Sequence, residues 1–138
     1  MAQPLDIPLH QIGFRFTMPP LLIGGMAMEW YGLRNAGADI DFVVARADYA
    51  GLAALHPDHL KDLHGDLGVC FEQFELWTSI YLFDYDALTF GALECDAYRV
   101  IALDKLLLLK CLGMDQPKNA ADVRLIAQRI RDLQYGKV

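Results

Sequence analysis

The hydrophobic positions of the chain are spaced for strands in its first hundred residues and for helices in its last third. Short apolar runs, bounded by glycine or by polar residues, predict strands at residues 21–23, 38–44, 69–76, 77–83 and 97–102. Val123, Ile126, Ile130 and Leu133 recur at helical spacing and predict an amphipathic last helix. The order of these elements predicts an α/β (α+β) fold, in which helices flank a small mixed β-sheet and the last two helices form a C-terminal pair.

Capping residues and helix breakers divide the remainder of the chain. Prolines interrupt residues 1–20 and predict an irregular lead-in, with space for one short strand at residues 12–16. Asp48 predicts, as an N-cap, a helix over residues 49–55, and Pro57 predicts the start of another helical stretch. Further helices are predicted at residues 26–33, at 104–113 and from Pro117 onward. We expect one domain over residues 1–138, with the C-terminal helices in 103–135.

The composition is that of a folded chain, and it limits the kinds of partner. Of the 138 residues, 54% are hydrophobic and 22% charged, and the formal net charge is −6. An acidic chain argues against general nucleic-acid binding, whereas a nucleotide bound through Mg²⁺ remains compatible because the ion supplies positive charge. Because the first residues show no signal-peptide pattern and no apolar run is long enough to span a bilayer, we expect a cytoplasmic protein that does not enter a membrane.

Cysteine and histidine residues do not form a recognisable metal motif. Cys70, Cys95 and Cys111 are odd in number and widely spaced, which fits neither a disulfide framework nor a zinc site. Three histidines lie between residues 56 and 64, but their spacing matches no known ligand pattern. We therefore expect buried, reduced thiols, and histidines on exposed helix or loop positions.

The stretch Asp39-Ile40-Asp41 is the first candidate for chemistry. On a strand, residues i and i+2 point to the same face, so Asp39 and Asp41 stand side by side while Ile40 enters the core. Two adjacent carboxylates repel each other unless a cation lies between them, and oxygen ligands suit a hard ion such as Mg²⁺. The alternative is an edge strand with a solvated acidic face.

A second candidate lies between the strand at residues 21–23 and the helix that follows it. Gly24 and Gly25 occupy this turn, and Arg34 follows the helix. Glycines remove Cβ obstruction and allow backbone N–H groups at a helix start to approach a phosphate. A Gly-Gly pair is also compatible with a simple tight turn.

In combination, these pieces resemble the nucleotidyltransferase superfamily, and in particular its small bacterial and archaeal members. The resemblance rests on Leu22-Ile23-Gly24-Gly25 followed, after 13 residues, by Asp39-Ile40-Asp41-Phe42-Val43. A second match lies in the leucine-rich run of residues 106–109 and the Lys110 that follows it, and then in Pro117-Lys118 and Asp122; here Asn119 stands where members of that superfamily usually carry an aspartate. The matched region covers roughly residues 20–133.

The resemblance implies Mg²⁺-dependent transfer of a nucleoside monophosphate from an NTP, most often ATP, to an acceptor hydroxyl. It implies that Asp39 and Asp41 are catalytic metal ligands and that Gly24 and Gly25 form the phosphate loop. It further implies that Arg34 and Lys118 bind the nucleotide. Lys110 would face the same cleft, or else carry surface charge at a helix end.

One feature departs from the pattern of active relatives, which carry a third carboxylate on a neighbouring strand. Aligned on residues 79–84, that position is occupied here by Tyr81, and a neutral phenol is a poor base or Mg²⁺ ligand near neutral pH. Glu75 or Asp84 would take its place if the strand register differed. The sequence leaves these alternatives open.

The sequence is therefore compatible with two functions. The first is an enzyme whose acceptor is a protein side chain, an RNA end or a small molecule. The second is a catalytically inactive protein of the same fold that binds a nucleotide or a helical protein partner, for example within a toxin–antitoxin pair, or that forms a homo-oligomer. An exposed apolar face on the last helix, including Ile126, Ile130 and Leu133, would favour the second.

Overall fold

In the computed structural model, which describes residues 5–136, a mixed seven-stranded sheet runs through the chain. Its strands are β1 (Leu21–Ile23), β2 (Ile40–Val43), β3 (Leu60–Leu63), β4 (Asp66–Phe71), β5 (Phe74–Trp77), β8 (Leu93–Glu94) and β9 (Arg99–Val100). A separate hairpin consists of β6 (Ser79–Ile80) and β7 (Phe83–Asp84). The sheet order is β3-β4-β5-β2-β1-β9-β8, with β2–β5 and β1–β9 parallel and the other pairs antiparallel.

Five α-helices accompany the strands in the described part of the chain. They are α1 (Gly24–Trp30), α2 (Arg46–Leu55), α3 (Tyr85–Leu88), α4 (Leu103–Leu112) and α5 (Pro117–Gln134). Short 3₁₀ turns lie at Leu9–Ile12 and Pro57–His59. The predicted mixed α/β class and the two C-terminal helices are confirmed; the first four residues of the predicted lead-in lie outside the described residues.

The hydrophobic core fixes the two strands on which the candidate site stands. All three residues of β1 are buried, as expected of a central strand covered on both faces. From β2, Phe42 is fully buried, and Leu106 of α4 and Ile126 of α5 close the same core. The β1–α1 turn and the start of β2 are therefore held by packing on both sides, which gives the side chains at that edge a fixed frame.

The apolar face of α5 is used mainly inside the chain. Ile126 is fully buried and Ile130 packs against the core, whereas Leu133 is half exposed. Two of the three side chains singled out as a possible partner face therefore already contribute to the fold. This arrangement does not call for a helical partner on that face.

Asp48 does not cap α2, contrary to the sequence prediction. The helix begins at Arg46, and Asp48 lies in its first turn, almost fully buried. Its carboxylate accepts hydrogen bonds of 3.0 Å and 3.1 Å from the backbone N–H of Thr17 and one of 3.1 Å from that of Met18. A buried carboxylate needs hydrogen-bond donors. Asp48 finds them in a segment 30 residues away in sequence, and not in the first turn of its own helix.

The region after α2 also differs from the predicted elements. Pro57 opens only a single 3₁₀ turn, and the chain then forms strand β3 at the edge of the sheet. The two strands predicted within residues 69–83 become β4 and β5, joined by a two-residue turn at Glu72, and then the β6–β7 hairpin. Residues 12–16, proposed as a possible strand, contain the end of a 3₁₀ turn and irregular chain.

Candidate active site

The carboxylates of Asp39 and Asp41 lie where β2 begins. Asp41 is the second residue of β2, and Asp39 immediately precedes the strand. Ile40 and Phe42 alternate with them and are buried in the core, as the sequence pattern predicts. Asp39 is exposed and Asp41 is partly buried, so this part of the strand presents one carboxylate to solvent and draws the other inward.

Glu75 is brought beside Asp41 by the pairing of β2 with β5. The two strands are parallel, and Asp41 is directly opposite Glu75 in their register. Neighbouring strands lie about 5 Å apart, and directly opposed residues share a face. The residue beside Asp41 on the paired strand is therefore Glu75 and not Tyr81, which the sequence alignment had placed there.

Tyr81 and Asp84 occupy other surroundings. Tyr81 lies in the turn between β6 and β7, outside the seven-stranded sheet. Asp84 is exposed at the start of α3, where it accepts a hydrogen bond of 3.0 Å from the backbone N–H of Ala87. Of the two residues that the sequence left open as a third carboxylate, Glu75 is the one adjacent to Asp41.

The raised pKa values of Asp41 and Glu75 show that the neighbouring carboxylates repel one another. Burial, and then the negative charges of Glu75 and Asp39, raise the pKa of Asp41 to about 7. Burial and the charge of Asp39 likewise raise the pKa of Glu75 above its ordinary value. Lys110 and Lys118 oppose the shift at Asp41 without cancelling it. An added cation would relieve this repulsion, since an opposite charge favours the ionised carboxylates.

Gly24 makes room for Asp41. Its φ is +65°, a conformation that favours glycine, and a Cβ at this position would lie 2.7 Å from Asp41 Oδ2. Gly25, the next residue, has only ordinary contacts around its missing Cβ, the nearest being Arg34 Nη1 at 3.5 Å. The two glycines therefore differ: Gly24 accommodates the carboxylate, and Gly25 leaves backbone open to the cleft.

A cleft of about 410 Å³ joins the predicted site residues. Its lining combines Gly25, Arg34, Asp39, Asp41 and Lys118, together with the backbone of residues 37–38. Residues from four separate segments of the chain thus meet around one space, and both carboxylates and cations border it. Gly24 is the one predicted site residue that contacts Asp41 without lining this cleft.

Arg34 is held in place by Asp122 of α5. Arg34 Nε donates to Asp122 Oδ1 at 2.6 Å, and Nη2 donates to Oδ2 at 2.7 Å, while Nη1 binds the carbonyl of Asn35. Lys110 Nζ lies 2.9 Å from Asp122 Oδ2 and donates to Asn119 Oδ1 at 3.3 Å. Lys110 is buried, so it supports the cleft wall from within instead of carrying surface charge.

In the sequence, Asp122 is linked to the candidate site only by the resemblance to nucleotidyltransferases. Burial alone would raise its pKa, but the hydrogen bonds and charges of Arg34 and Lys110 hold the pKa below its ordinary value. The signal in the sequence was a lone aspartate on the apolar side of an amphipathic helix. Such a residue needs cationic partners, although the pattern alone does not name them.

The carboxylates fit a Mg²⁺ ion that completes its coordination with other oxygens. Within residues 5–136, no three His, Cys, Asp or Glu side chains converge closely enough to form a metal cage by themselves. Mg²⁺ is commonly bound by only one or two carboxylates, together with water and substrate phosphates. Asp41 Oδ1 is buried and has no hydrogen-bond partner among the described residues. A buried oxygen of this kind is suited to a cation.

The histidines lie apart from this cleft. His56 stacks on Phe71 with ring centroids 4.1 Å apart, and His59 approaches the same ring edge-on at 6.2 Å. His64 lies in the β3–β4 turn. None of the three lines the cleft that contains Asp39 and Asp41.

No family model, curated protein or solved structure matches this chain. The resemblance to nucleotidyltransferases therefore depends on the residues and geometry described above. Among the described helices, none has the length and apolar character needed to cross a membrane.

Proposed function

We propose that the protein is a Mg²⁺-dependent nucleotidyltransferase with a nucleotidyltransferase-like fold, which transfers a nucleoside monophosphate from an NTP to an acceptor hydroxyl. The observation that carries the proposal is the position of Asp41, between Asp39 on its own chain segment and Glu75 on the paired strand. Its inner oxygen has no partner among residues 5–136. Neighbouring carboxylates repel one another, and a cation bound by Asp39 and Asp41 would relieve that cost.

Asp39 and Asp41 would hold the metal ion in this proposal. Bound Mg²⁺ would neutralise charge on the triphosphate and help to align the in-line displacement. Gly25 presents open backbone to the cleft, and Lys118 is exposed and forms no ion pair with any described residue. We assign the triphosphate contacts to these two residues. Arg34 lines the same space, but its Asp122 contacts make it a fixed charge instead of a mobile clamp.

Glu75 is assigned as the proton acceptor. The acceptor hydroxyl oxygen forms a bond to the α-phosphorus, the bond from that phosphorus to the β-phosphate oxygen breaks, and pyrophosphate leaves. The hydroxyl proton passes to the Glu75 carboxylate. Its raised pKa, caused by burial and by Asp39, brings this carboxyl closer to neutrality than an ordinary glutamate, which suits a general base.

The alternative function, a binding module without transfer, depended on the loss of the third carboxylate. Glu75 beside Asp41 removes the main reason for that alternative. The burial of Ile126 and the packing of Ile130 leave only Leu133 of the predicted partner face exposed, which gives that alternative less support. We therefore favour the enzyme.

Calorimetric titration with each NTP, with and without Mg²⁺, tests the proposal. We expect Mg²⁺-dependent binding that Asp39→Asn weakens by about tenfold or more, since it removes a charged ligand. We expect Glu75→Gln to retain binding but to slow the release of pyrophosphate when water serves as the acceptor. Glu72→Gln, at the exposed turn of the same hairpin, is the matched control and should behave as wild type. The absence of Mg²⁺-dependent binding of any NTP would overturn the proposal.

A further inference from the structure

A second and larger cleft lies on the same face of the sheet as the carboxylates. It encloses about 760 Å³ between four structural elements: the β3–β4 turn, strand β5, the β6–β7 turn and the segment that joins α4 to α5. Trp77 of β5 forms one wall, and Tyr81 and Leu82 of the β6–β7 turn form another. A space of this size is sufficient for a small organic molecule.

This larger cleft adjoins the proposed reaction centre on two sides. Trp77 is two residues after Glu75 on β5, so both side chains share a face and their Cα atoms are about 7 Å apart. Gln116 lines the larger cleft and Lys118 lines the smaller one, although only one residue separates them at the start of α5. A molecule in the larger cleft therefore lies next to Glu75, the proposed proton acceptor.

The two clefts differ in charge. The smaller is bordered by Arg34 and Lys118, whereas the larger contains the carboxylates of Asp66 and Asp115 and no lysine or arginine. Asp66 is already engaged, since it accepts hydrogen bonds from Ser79 and from the backbone of the β6–β7 turn. Asp115 forms no ion pair with any of residues 5–136. Its charge is available to a ligand.

The turn that contributes apolar side chains to the lining has a strained backbone. Tyr81 and Leu82 have φ of +49° and +66°, and Leu82 is 68% exposed. Consecutive residues with positive φ in a two-residue turn usually include glycine or asparagine. Bulky side chains in this conformation are strained, and strain of this kind concentrates at binding sites. The Tyr81 hydroxyl lies close to Gly113, where an added Cβ would be 2.8 Å from it.

We infer that the larger cleft is the acceptor site, and that it takes a small organic cation with an aromatic or aliphatic body and a hydroxyl group. The inference deepens the proposed function and rests on it. Trp77 and Tyr81 provide aromatic surface, which attracts cations as well as apolar groups. Asp115 pairs with the positive charge. Among the described residues the lining includes His64 but no lysine or arginine, which disfavours nucleic acid or any phosphate-bearing acceptor.

The test uses two phenols of similar size and opposite charge, tyramine and 3-(4-hydroxyphenyl)propionate. The chain contains two tryptophans, so the two indole N–H signals in a ¹⁵N-correlated spectrum can be assigned with Trp77→Phe. We expect tyramine to shift the Trp77 signal in a saturable manner and to leave Trp30 unchanged. The propionate should bind about tenfold more weakly, because a carboxylate is disfavoured beside Asp115.

Asp115→Asn should abolish the preference for tyramine, whereas Asp96→Asn, an exposed aspartate at the other edge of the sheet, should preserve it. Equal binding of the two phenols by wild type, or no shift at Trp77, would overturn the inference. These measurements need neither NTP nor Mg²⁺, so this result is independent of the nucleotide titration. Two outcomes that involve the nucleotide would also overturn the acceptor role: competition between tyramine and Mg²⁺–ATP, or tyramine binding by a protein that binds no NTP.

Discussion

Arg34 and Asp122 form a two-point ion pair across 88 residues of sequence, with N–O distances of 2.6 Å and 2.7 Å. Asp122 is 1% exposed and also pairs with Lys110, so one carboxylate holds two cations beneath the candidate active site. The pair joins the segment after α1 to the C-terminal helices. It therefore fixes the wall of the cleft in which the proposed nucleotide binds.

We predict that Asp122→Asn destabilises the protein by about 3 kcal/mol, because it leaves the buried Lys110 and the partly buried Arg34 without their counter-ion. Urea denaturation measures the free energy of unfolding. Asp132→Asn on the same helix is the control; it accepts a single surface hydrogen bond from Gln128, and we expect a change within about 1 kcal/mol. Similar losses for the two variants would contradict the role given to Asp122.

The sequence predicted the elements whose signals are local. Strand β1 is a short apolar run that ends in two glycines, and α5 begins at Pro117 and keeps its apolar spacing over 18 residues. Strand β3 was not predicted because all four of its residues are exposed, so it has no buried face to produce a periodic pattern. Its strand conformation comes from pairing with β4, which a local pattern does not specify.

The parts of the candidate site that are formed by residues close together in sequence could be predicted. Asp39 and Asp41 follow from strand alternation, and the glycine pair follows from its place between strand and helix. The choice between Tyr81, Glu75 and Asp84 stayed open because it depends on the partner strand and its register, which place Glu75 opposite Asp41. A shift of one residue would have turned Glu75 to the other face. The roles of these residues stay predictions.

We predict that Gly24→Ala is more harmful than Gly13→Ala, although the two glycines have similar φ values of +65° and +69°. Alanine at either position costs about 1–2 kcal/mol for the left-handed backbone. At Gly13, nothing lies within 4 Å of the new Cβ, whereas at Gly24 it would meet the Asp41 carboxylate at 2.7 Å. We expect an added loss of about 1 kcal/mol or more, measured by thermal denaturation.

The same pair of variants separates backbone strain from damage to the site. Gly24→Ala should also displace Asp41 and weaken Mg²⁺-dependent NTP binding. Gly13→Ala should leave that binding unchanged. Equal stabilities and equal nucleotide affinities in the two variants would show that Gly24 has no specific relation to Asp41.

We predict that Asp41→Asn stabilises the metal-free protein above pH 7. The folded-state pKa of Asp41 is raised from 3.8 to about 7, so between these values the folded protein retains a proton that the unfolded chain has lost. Wild-type stability therefore falls as the pH rises from about 4 to about 7, by at most about 4 kcal/mol from this group. Asparagine resembles the protonated acid and does not incur this loss.

Denaturant unfolding at pH 5, 6, 7 and 8 measures this prediction. The advantage of Asp41→Asn should increase from pH 5 to pH 8, with about 40% of the full effect already present at pH 5. Added Mg²⁺ should stabilise wild type at pH 8 but not the variant, because binding to the folded state alone raises stability. A stability difference that is constant across the pH range would show that Asp41 titrates as an ordinary surface aspartate.

We predict that Leu82→Gly stabilises the fold while weakening the binding of tyramine. Glycine relieves the strain of φ +66° at the second position of the β6–β7 turn, and the side chain that it removes is 68% exposed. After the added flexibility of the unfolded chain is subtracted, we expect a gain of about 0.5–1 kcal/mol in the free energy of unfolding. Leu93→Gly is the control: Leu93 is an exposed strand residue without positive φ, and its replacement should destabilise the protein. If Leu82→Gly is less stable than wild type, the turn is not strained at this residue. If it binds tyramine as well as wild type does, the Leu82 side chain does not contribute to the larger cleft.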